Sequence, residues 1–159
     1  MPETIGKSRF YANGNFYSQG LRFSCKRCSV CCRFEPGFVF LSERDVSVLK
    51  AALKLGHDDF MTLYCRWVPN EDGKNRLSLK EKMNCDCVFW EKEGCRVYEA
   101  RPLQCVTFPF WSSVLKDEES WEMTASECPG MNQGLSHSPA SIEKLLASRQ
   151  NEPIIVQFS

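Results

Sequence analysis

Four cysteines lie within eight residues of this chain, and thiol side chains are of a type that binds metals. Cys25, Cys28, Cys31 and Cys32 are separated by two residues, two residues and none. A cysteine at every third position lets successive sulfur atoms turn toward one point while the backbone curls around it. Thiolates bind zinc, cuprous ion and the iron of iron–sulfur clusters. The spacing therefore predicts a metal centre held by thiolates.

The spacing is compatible with more than one metal. The first three cysteines follow the C-x2-C-x2-C pattern of bacterial ferredoxins, which is completed by a further cysteine followed by proline. Cys128-Pro129 offers such a pair far along the chain. The same spacing suits zinc, which takes four ligands in structural sites. We favour iron, because the triplet and the cysteine–proline pair suit a cluster, and zinc stays the alternative.

The adjacent cysteines 31 and 32 restrict how one centre can be built. Neighbouring side chains in an extended segment point to opposite sides. Either the two thiols serve two different centres, or one of them lies outside the ligand set. Lys26, Arg27 and Arg33 surround the stretch. Their charges would offset the negative charge of several thiolates, or they form an ordinary solvated basic loop.

The composition is that of a globular protein with balanced charge. The chain has 159 residues, which predicts one domain over residues 1–159, with a motif core over 23–130 and a helix and tail over 138–159. Twenty basic and twenty acidic side chains give no formal net charge. Such a balance favours neither nucleic acid nor a membrane as a partner. We expect a redox or protein partner whose identity the sequence does not reveal.

Ten cysteines raise the question of disulfides. The first eight residues contain no apolar run of the kind found in a signal peptide, and no stretch approaches the ~18 apolar residues of a membrane span. We therefore expect a reducing, cytoplasmic location. Clustered cysteines bind metal there more often than they pair with each other, and disulfides are the less favoured alternative.

The remaining sequence predicts short, mixed elements. Asn13-Gly14 marks a turn. Ser42 is predicted to cap a helix that ends at Gly56, and Asp58 to cap a second helix. A hairpin is expected around residues 67–79 and a second one over 111–124. A third helix over 139–150 and an edge strand over 153–158 follow. The predicted fold is a small, irregular α+β domain with short antiparallel strands and about three short helices.

The cysteines and their neighbours together resemble a known family. The segment 25–32 reads CxxCxxCC, and later segments follow in order: Cys87-Val88-Phe89-Trp90, the stretch from Cys95 to Cys105, Phe108-Pro109 and Cys128-Pro129-Gly130. This pattern resembles the CxxCxxCC family of zinc- or iron-chelating cysteine-cluster proteins (YkgJ-type). The resemblance runs from about residue 23 to residue 130. It departs from the usual pattern at Trp90, where leucine is more common, and at Val106, where arginine is more common.

The resemblance implies eight metal ligands. They are Cys25, Cys28, Cys31, Cys32, Cys87, Cys95, Cys105 and Cys128. They would form two four-thiolate sites, or one site with spare thiols, and would join distant parts of the chain. Cys65 and Cys85 fall outside the pattern and are interpreted as buried structural thiols, although Cys85 lies close enough to Cys87 to exchange roles with it.

Two further residues are candidates for contacting the ligands and thereby altering the properties of the metal centre. Tyr98 and Arg101 lie between the cysteines of the motif, and donors to thiolate sulfur alter the potential of a cluster. Ordinary packing, with an ion pair to Glu99, is the alternative.

Three functions are consistent with these residues. The favoured one is an iron–sulfur protein, with a cluster of the 4Fe–4S type, that transfers electrons or assists a redox or modification enzyme. The second is a zinc-binding structural or interaction module without catalysis. The third is a thiol redox sensor. No catalytic residue is predicted, since the chain has two isolated histidines, His57 and His137, and no evident acid–base pair.

Overall fold

The computed structural model describes residues 15–158, and it has both helices and antiparallel strands. Five α-helices are present among these residues: α1 (Glu43–Leu53), α2 (His57–Tyr64), α3 (Leu103–Thr107), α4 (Glu118–Glu127) and α5 (Pro139–Asn151). The α+β prediction is confirmed, while the prediction of about three helices was too low. The predicted turn at Asn13-Gly14 lies outside the described residues.

Seven short strands form three small antiparallel sheets in the described part of the chain. They are β1 (Leu21–Phe23), β2 (Cys65–Pro69), β3 (Lys74–Leu79), β4 (Trp90–Glu91), β5 (Gly94–Cys95), β6 (Met131–His137) and β7 (Val156–Phe158). Their order is β1-β6 in one sheet, β2-β3-β7 in the second and β4-β5 in the third. Among residues 15–158, no helix combines the length and the apolar character needed to cross a membrane.

The contacts divide the chain into two compact units. Unit 1 contains residues 15–28 and Thr107–Ala147, and unit 2 contains Ser29–Val106 and residues 148–158. Each unit has its own cluster of buried apolar side chains. The single domain over residues 1–159 stays a prediction.

Unit 1 is built around aromatic side chains. Trp121 of α4 is 1 % exposed and stacks on Phe110 with ring centres 5.9 Å apart. Met131 of β6 and Ile142 of α5 complete this core. The strands β1 and β6 pair so that Phe23 lies opposite Met131. This pairing places the end of β1 beside the start of β6.

Unit 2 packs α1 and α2 on the three-stranded sheet. Leu41, Leu49, Phe60 and Leu77 are at most 1 % exposed in this core. The predicted hairpin over residues 67–79 is confirmed as β2 and β3, which pair from Cys65 opposite Leu79 onward. The predicted edge strand is confirmed as β7, which pairs with β3.

The helix α1 begins as predicted but ends earlier. The Ser42 hydroxyl accepts a hydrogen bond from the Asp45 backbone N–H at 3.1 Å, and the Asp45 carboxylate accepts one from the Ser42 N–H at 2.8 Å. This reciprocal arrangement satisfies two donors that a helix start would otherwise leave unpaired. The helix ends at Leu53 and is capped by Lys54, whose φ is 57°. Gly56 instead caps the start of α2, so the prediction of Asp58 as that cap was wrong.

The predicted second hairpin over residues 111–124 is absent from the described residues. Its expected tip instead begins α4, because the Asp117 carboxylate accepts a hydrogen bond from the Ser120 N–H at 2.7 Å. Glu118 and Glu119 lie in the first turn, where the positive end of the helix stabilises negative charge. Aspartate at the start and two acids behind it form a helix signal that the hairpin interpretation overlooked.

Candidate metal centre

The backbone of the cysteine-rich segment is strongly curled. Arg27, Ser29 and Phe34 have φ values of 54°, 70° and 78°, in the left-handed region that side chains other than glycine rarely adopt. Between them, residues 30–32 form a single 3-10 turn. Such conformations cost free energy and persist where the surrounding structure or a bound group stabilises them. The curl is local to the backbone, and the convergence of the cysteine sulfur atoms on one point stays a prediction.

Unit 1 contains three of the eight predicted ligands. Cys25 and Cys28 are exposed, and Cys128 is half-buried against the core of this unit. The Ser24 N–H donates to the Gly130 carbonyl at 3.1 Å. A Cβ atom on Gly130 would lie 2.3 Å from the Ser24 carbonyl oxygen, so only glycine permits this approach. The close contact places the chain beside Cys25 next to the chain beside Cys128.

Unit 2 contains the other five predicted ligands, on four segments. The Cys87 N–H donates to the Cys32 carbonyl at 2.7 Å, which joins the adjacent cysteines 31 and 32 to the segment of Cys87. The Trp90 N–H donates to the Cys87 carbonyl at 2.8 Å, and Trp90 pairs with Cys95 across β4 and β5. Cys105 is carried by α3. These segments meet although up to 74 positions separate their cysteines in the sequence.

The electrostatics of unit 2 show that these thiols influence one another. The pKa of Cys105 is raised, first by burial and then by the negative charges of Cys87, Cys31 and Cys95. The pKa of Cys87 is likewise raised by burial and by thiolate charge from its neighbours. Among the described residues, no three cysteine, histidine or acidic side chains stand at the separations of ligands to one ion. The thiols of unit 2 are thus neighbours that must move closer to share an ion.

The adjacent cysteines behave as a pair. The sulfur atoms of Cys31 and Cys32 are 3.9 Å apart and share a hydrogen bond. This hydrogen bond lowers the pKa of Cys31 to about 7, with help from the charge of Arg101, although burial opposes the shift. The same bond raises the pKa of Cys32. Cys31 is therefore the easier of the two thiols to ionise.

The position of Cys105 is set by two side chains that are not predicted ligands. The Asp45 carboxylate, which caps α1, also accepts a hydrogen bond from the Leu103 N–H at 2.8 Å. The Gln104 side chain accepts from the Phe40 N–H at 3.0 Å and donates to the Phe38 carbonyl at 2.7 Å. These contacts fix α3 to α1 and to residues 38–40, which precede α1 in the chain. Sequence analysis identified the helix start at Ser42 but missed this contact of Asp45.

Arg101 lies where its charge reaches the thiols. Its guanidinium stacks on the Tyr98 ring with 3.8 Å between the central carbon and the ring centre, and its Nε donates to the Tyr98 carbonyl at 2.9 Å. The positive charge lowers the pKa of Cys31 and of Cys105. Tyr98 contributes by orienting the arginine. Both contacts are consistent with the predicted tuning role, which stays a prediction.

The two cysteines outside the motif differ from the others. Cys65 is 6 % exposed in the core of unit 2, and burial raises its pKa to about 11. This is the environment of a structural thiol, as the sequence interpretation held. Cys85 is half-buried rather than fully buried, has φ 69°, and its N–H donates to the Lys82 carbonyl at 2.9 Å. None of the ten cysteines is joined to another in the structure.

The residues of unit 2 fit a thiolate-bound metal or cluster. The donor set consists of sulfur, which is the ligand that zinc and iron–sulfur clusters prefer. In addition, the indole Nε1 of Trp90 is buried and has no hydrogen-bond acceptor among the described residues. An unsatisfied buried donor costs about 1–3 kcal/mol. Trp90 lies between the predicted ligands Cys87 and Cys95 in the sequence and pairs with Cys95 across β4 and β5.

Comparison with known proteins gives a family and distant relatives. The family model CxxCxxCC, described as a "putative zinc- or iron-chelating domain", matches residues 24–129. Two proteins of Methanocaldococcus jannaschii are similar: uncharacterized protein MJ0661, 27 % identical over 59 % of this chain and 48 % of its own length, and uncharacterized protein MJ0939, 26 % identical over 73 % and 39 %. The chain spans less than half the length of either relative. No solved structure matches significantly.

Proposed function

The chain belongs to the CxxCxxCC family, and from its thiol arrangement we propose that it carries an iron–sulfur cluster with an electron-transfer role or a role assisting a redox or modification enzyme. The proposed ligands are the eight cysteines of the motif. Those in unit 2 form one centre drawn from Cys31, Cys32, Cys87, Cys95 and Cys105. Cys25, Cys28 and Cys128 are the candidate ligands of unit 1.

The observation that carries the proposal is the meeting of five thiols in unit 2. They come from four separated segments, which include those joined by the hydrogen bond from the Cys87 N–H to the Cys32 carbonyl and by the pairing of β4 with β5. Negative charge on neighbouring thiols raises the pKa of Cys105. A disulfide framework would join thiols in pairs, whereas the charges of three other thiols act on Cys105. Five thiols are enough for the four ligands that one zinc ion or one 4Fe–4S cluster takes.

Iron is preferred over zinc for chemical reasons. The first three cysteines have the spacing of ferredoxins, and Cys128 is followed by proline as in those proteins. Zinc is the alternative, because the family description names both metals. In that case the protein is a structural or interaction module without catalysis.

Each neighbouring residue has a defined task in this proposal. The cluster, when bound, would supply the uptake and release of single electrons. The thiolates hold it, and Arg101 offsets part of their negative charge. Tyr98 orients the arginine by stacking. Hydrogen bonds to cluster sulfur raise the reduction potential, which is the proposed effect of Trp90.

The proposed location is the cytoplasm. Thiols stay reduced there and remain available to metals. The proposed partner is a redox enzyme or another protein, because the balanced charge of the chain offers no basis for attraction to nucleic acid.

Anaerobic purification with metal and sulfide analysis tests the proposal. We expect iron and acid-labile sulfide in similar amounts, and a broad visible absorption that bleaches with dithionite. Cys105→Ala should lose most of this iron, because that thiol lies among the coupled group of unit 2. Cys65→Ala is the matched control: it removes a buried thiol of the same unit from outside the motif, so its iron content should equal that of the original protein.

Three outcomes would contradict the proposal. Colourless protein with stoichiometric zinc would establish the zinc module instead. Protein without any metal, together with alkylation counts that change between reducing and oxidising conditions, would favour the thiol sensor. Equal loss of iron in both alanine variants would show that the assignment of Cys105 as a ligand is wrong.

A further inference from the structure

Arg33 follows the adjacent cysteines 31 and 32 directly in the chain, and its guanidinium is held on several sides. Its Nε donates to the Asp86 carboxylate at 3.0 Å. Its central carbon lies 3.6 Å from the centre of the Trp90 ring and 4.7 Å from the centre of the Phe34 ring. The side chain is 28 % exposed. A planar cation is thus fixed by an ion pair and by two aromatic rings.

The carboxylate that binds Arg33 is itself fixed and shielded. The side chain of Asp86 is 5 % exposed. Its second oxygen accepts from the Asn84 amide at 3.0 Å, and its N–H donates to the Asn84 side chain at 3.2 Å. Its carbonyl accepts from the Lys82 N–H at 2.7 Å. A buried carboxylate is strongly destabilising without a charged partner, so Arg33 and Asp86 depend on each other.

The contacts of Arg33 reach three cysteine-bearing segments. Arg33 adjoins Cys32, Asp86 adjoins Cys87, and Trp90 pairs with Cys95. The hydrogen bond from the Cys87 N–H to the Cys32 carbonyl, at 2.7 Å, runs beside the ion pair. One guanidinium therefore connects segments that carry four of the five thiols of unit 2.

We propose that Arg33 is a positioning residue for the metal centre of unit 2, acting with Asp86 and Trp90 to hold these segments beside one another, so that small shifts bring their thiols onto one metal. The proposal rests on the proposed function, since it assumes that the thiols bind metal. Arginine suits the task because its flat guanidinium can stack on rings and form an in-plane ion pair at once. Lysine can form the ion pair, but it lacks the flat face that stacks.

Zinc titration of the reduced, metal-free full chain tests this role, with a coloured chelator as competitor. We expect Arg33→Gln to weaken zinc binding by about 10- to 100-fold, the usual effect of residues that support metal ligands. Arg76→Gln is the matched control. Arg76 is 27 % exposed and pairs with Asp72 at 2.9 Å in the same unit, at the hairpin of β2 and β3. Its zinc affinity should equal that of the original protein.

Conservative variants separate positioning from general stability. Arg33→Lys should recover part of the lost affinity, since it keeps the charge. Trp90→Phe should bind zinc more tightly than Trp90→Leu, because it keeps an aromatic face under the guanidinium. The visible spectrum of the cobalt-substituted protein reports ligand geometry, so Arg33→Gln should alter its bands while Arg76→Gln leaves them unchanged.

The outcomes distinguish this inference from the proposed function. If the original protein binds no zinc, the metal-binding proposal fails and this inference fails with it. If the original protein binds zinc and Arg33→Gln binds it equally well with the same cobalt spectrum, the positioning role is wrong while metal binding stands. If Arg33→Gln does not fold, the two Trp90 variants decide: equal affinities would overturn the role, and the expected difference supports it.

Discussion

Cys65 shows how a single thiol outside the motif can affect stability. It is 6 % exposed, and burial raises its pKa from 9.0 to about 11. The folded state therefore favours the neutral thiol more than the unfolded state does. The stabilisation is complete below pH 9.0 and is lost as the pH rises through about 11. We expect the free energy of unfolding of the metal-free protein to fall by at most ~3 kcal/mol over that interval because of this residue.

The measurement is urea unfolding at several pH values in that interval, compared with Cys65→Ala. The alanine variant should be less stable at neutral pH, because it leaves a small cavity, but its stability should fall less steeply with pH. Parallel curves for the two proteins would show that Cys65 does not carry the pH dependence.

The sequence identified the residues with distinctive chemistry, but not the residues that hold them in place. The eight cysteines of the motif could be selected from spacing and resemblance, and five of them meet in unit 2. The Asp86 carboxylate and the Trp90 indole carry no spacing signal, because their roles depend on where Arg33 lies in space. The basic residues around the motif were noted, but the sequence could not separate Arg33, which is fixed, from ordinary surface charges.

At the level of elements, Asp45 joins two helices. Its carboxylate accepts from the Ser42 N–H at the start of α1 and from the Leu103 N–H at the start of α3. Asp45 is 3 % exposed, so replacing it leaves buried donors without acceptors. We expect Asp45→Ala to lower the free energy of unfolding by about 2–4 kcal/mol. Because α3 carries Cys105, we also expect weaker zinc binding in the same variant.

Ser138→Ala is the matched control for that prediction. Ser138 caps α5 through the Ser141 N–H at 3.2 Å, but it is exposed and α5 carries no cysteine. We expect a loss of about 1 kcal/mol and unchanged zinc affinity. Chemical unfolding and zinc titration check both variants, and equal effects on zinc binding would contradict the link from Asp45 to Cys105.

The element predictions were correct where they depended on residues that are neighbours in the sequence. The cap at Ser42 and the hairpin of β2 and β3 depend on neighbouring residues, and both were predicted correctly. The second hairpin was wrong because polar residues between two apolar runs are common to hairpin tips and helix starts. The short helix α3 is fixed by hydrogen bonds of the Asp45 and Gln104 side chains to backbone N–H groups. Both bonds join residues that are far apart in the sequence. Such contacts cannot be read from periodicity.

In the molecule as a whole, most of the motif cysteines lie outside the apolar cores. Each unit has a buried apolar cluster that excludes most of its motif cysteines. In unit 2, α1 and β3 are fixed by Leu49 and Leu77, which are at most 1 % exposed. The segments of Cys31, Cys87 and Cys95 depend on short hydrogen bonds and on a two-residue strand pair. Local stability should therefore be lower in the cysteine-bearing segments, where buried apolar contacts are few, than in α1 and β3.

Metal removal should reveal this division through hydrogen exchange. After chelation, we expect amide protection to fall at least ~10-fold in residues 29–36, 85–96 and 103–107, since a change of that size corresponds to only about 1.4 kcal/mol. Protection in α1 and β3 should persist, because their apolar core is independent of the metal. Loss across all of unit 2 would instead mean that the metal is required for folding, as in zinc fingers. No change in any segment would mean that the bound metal does not order these thiols.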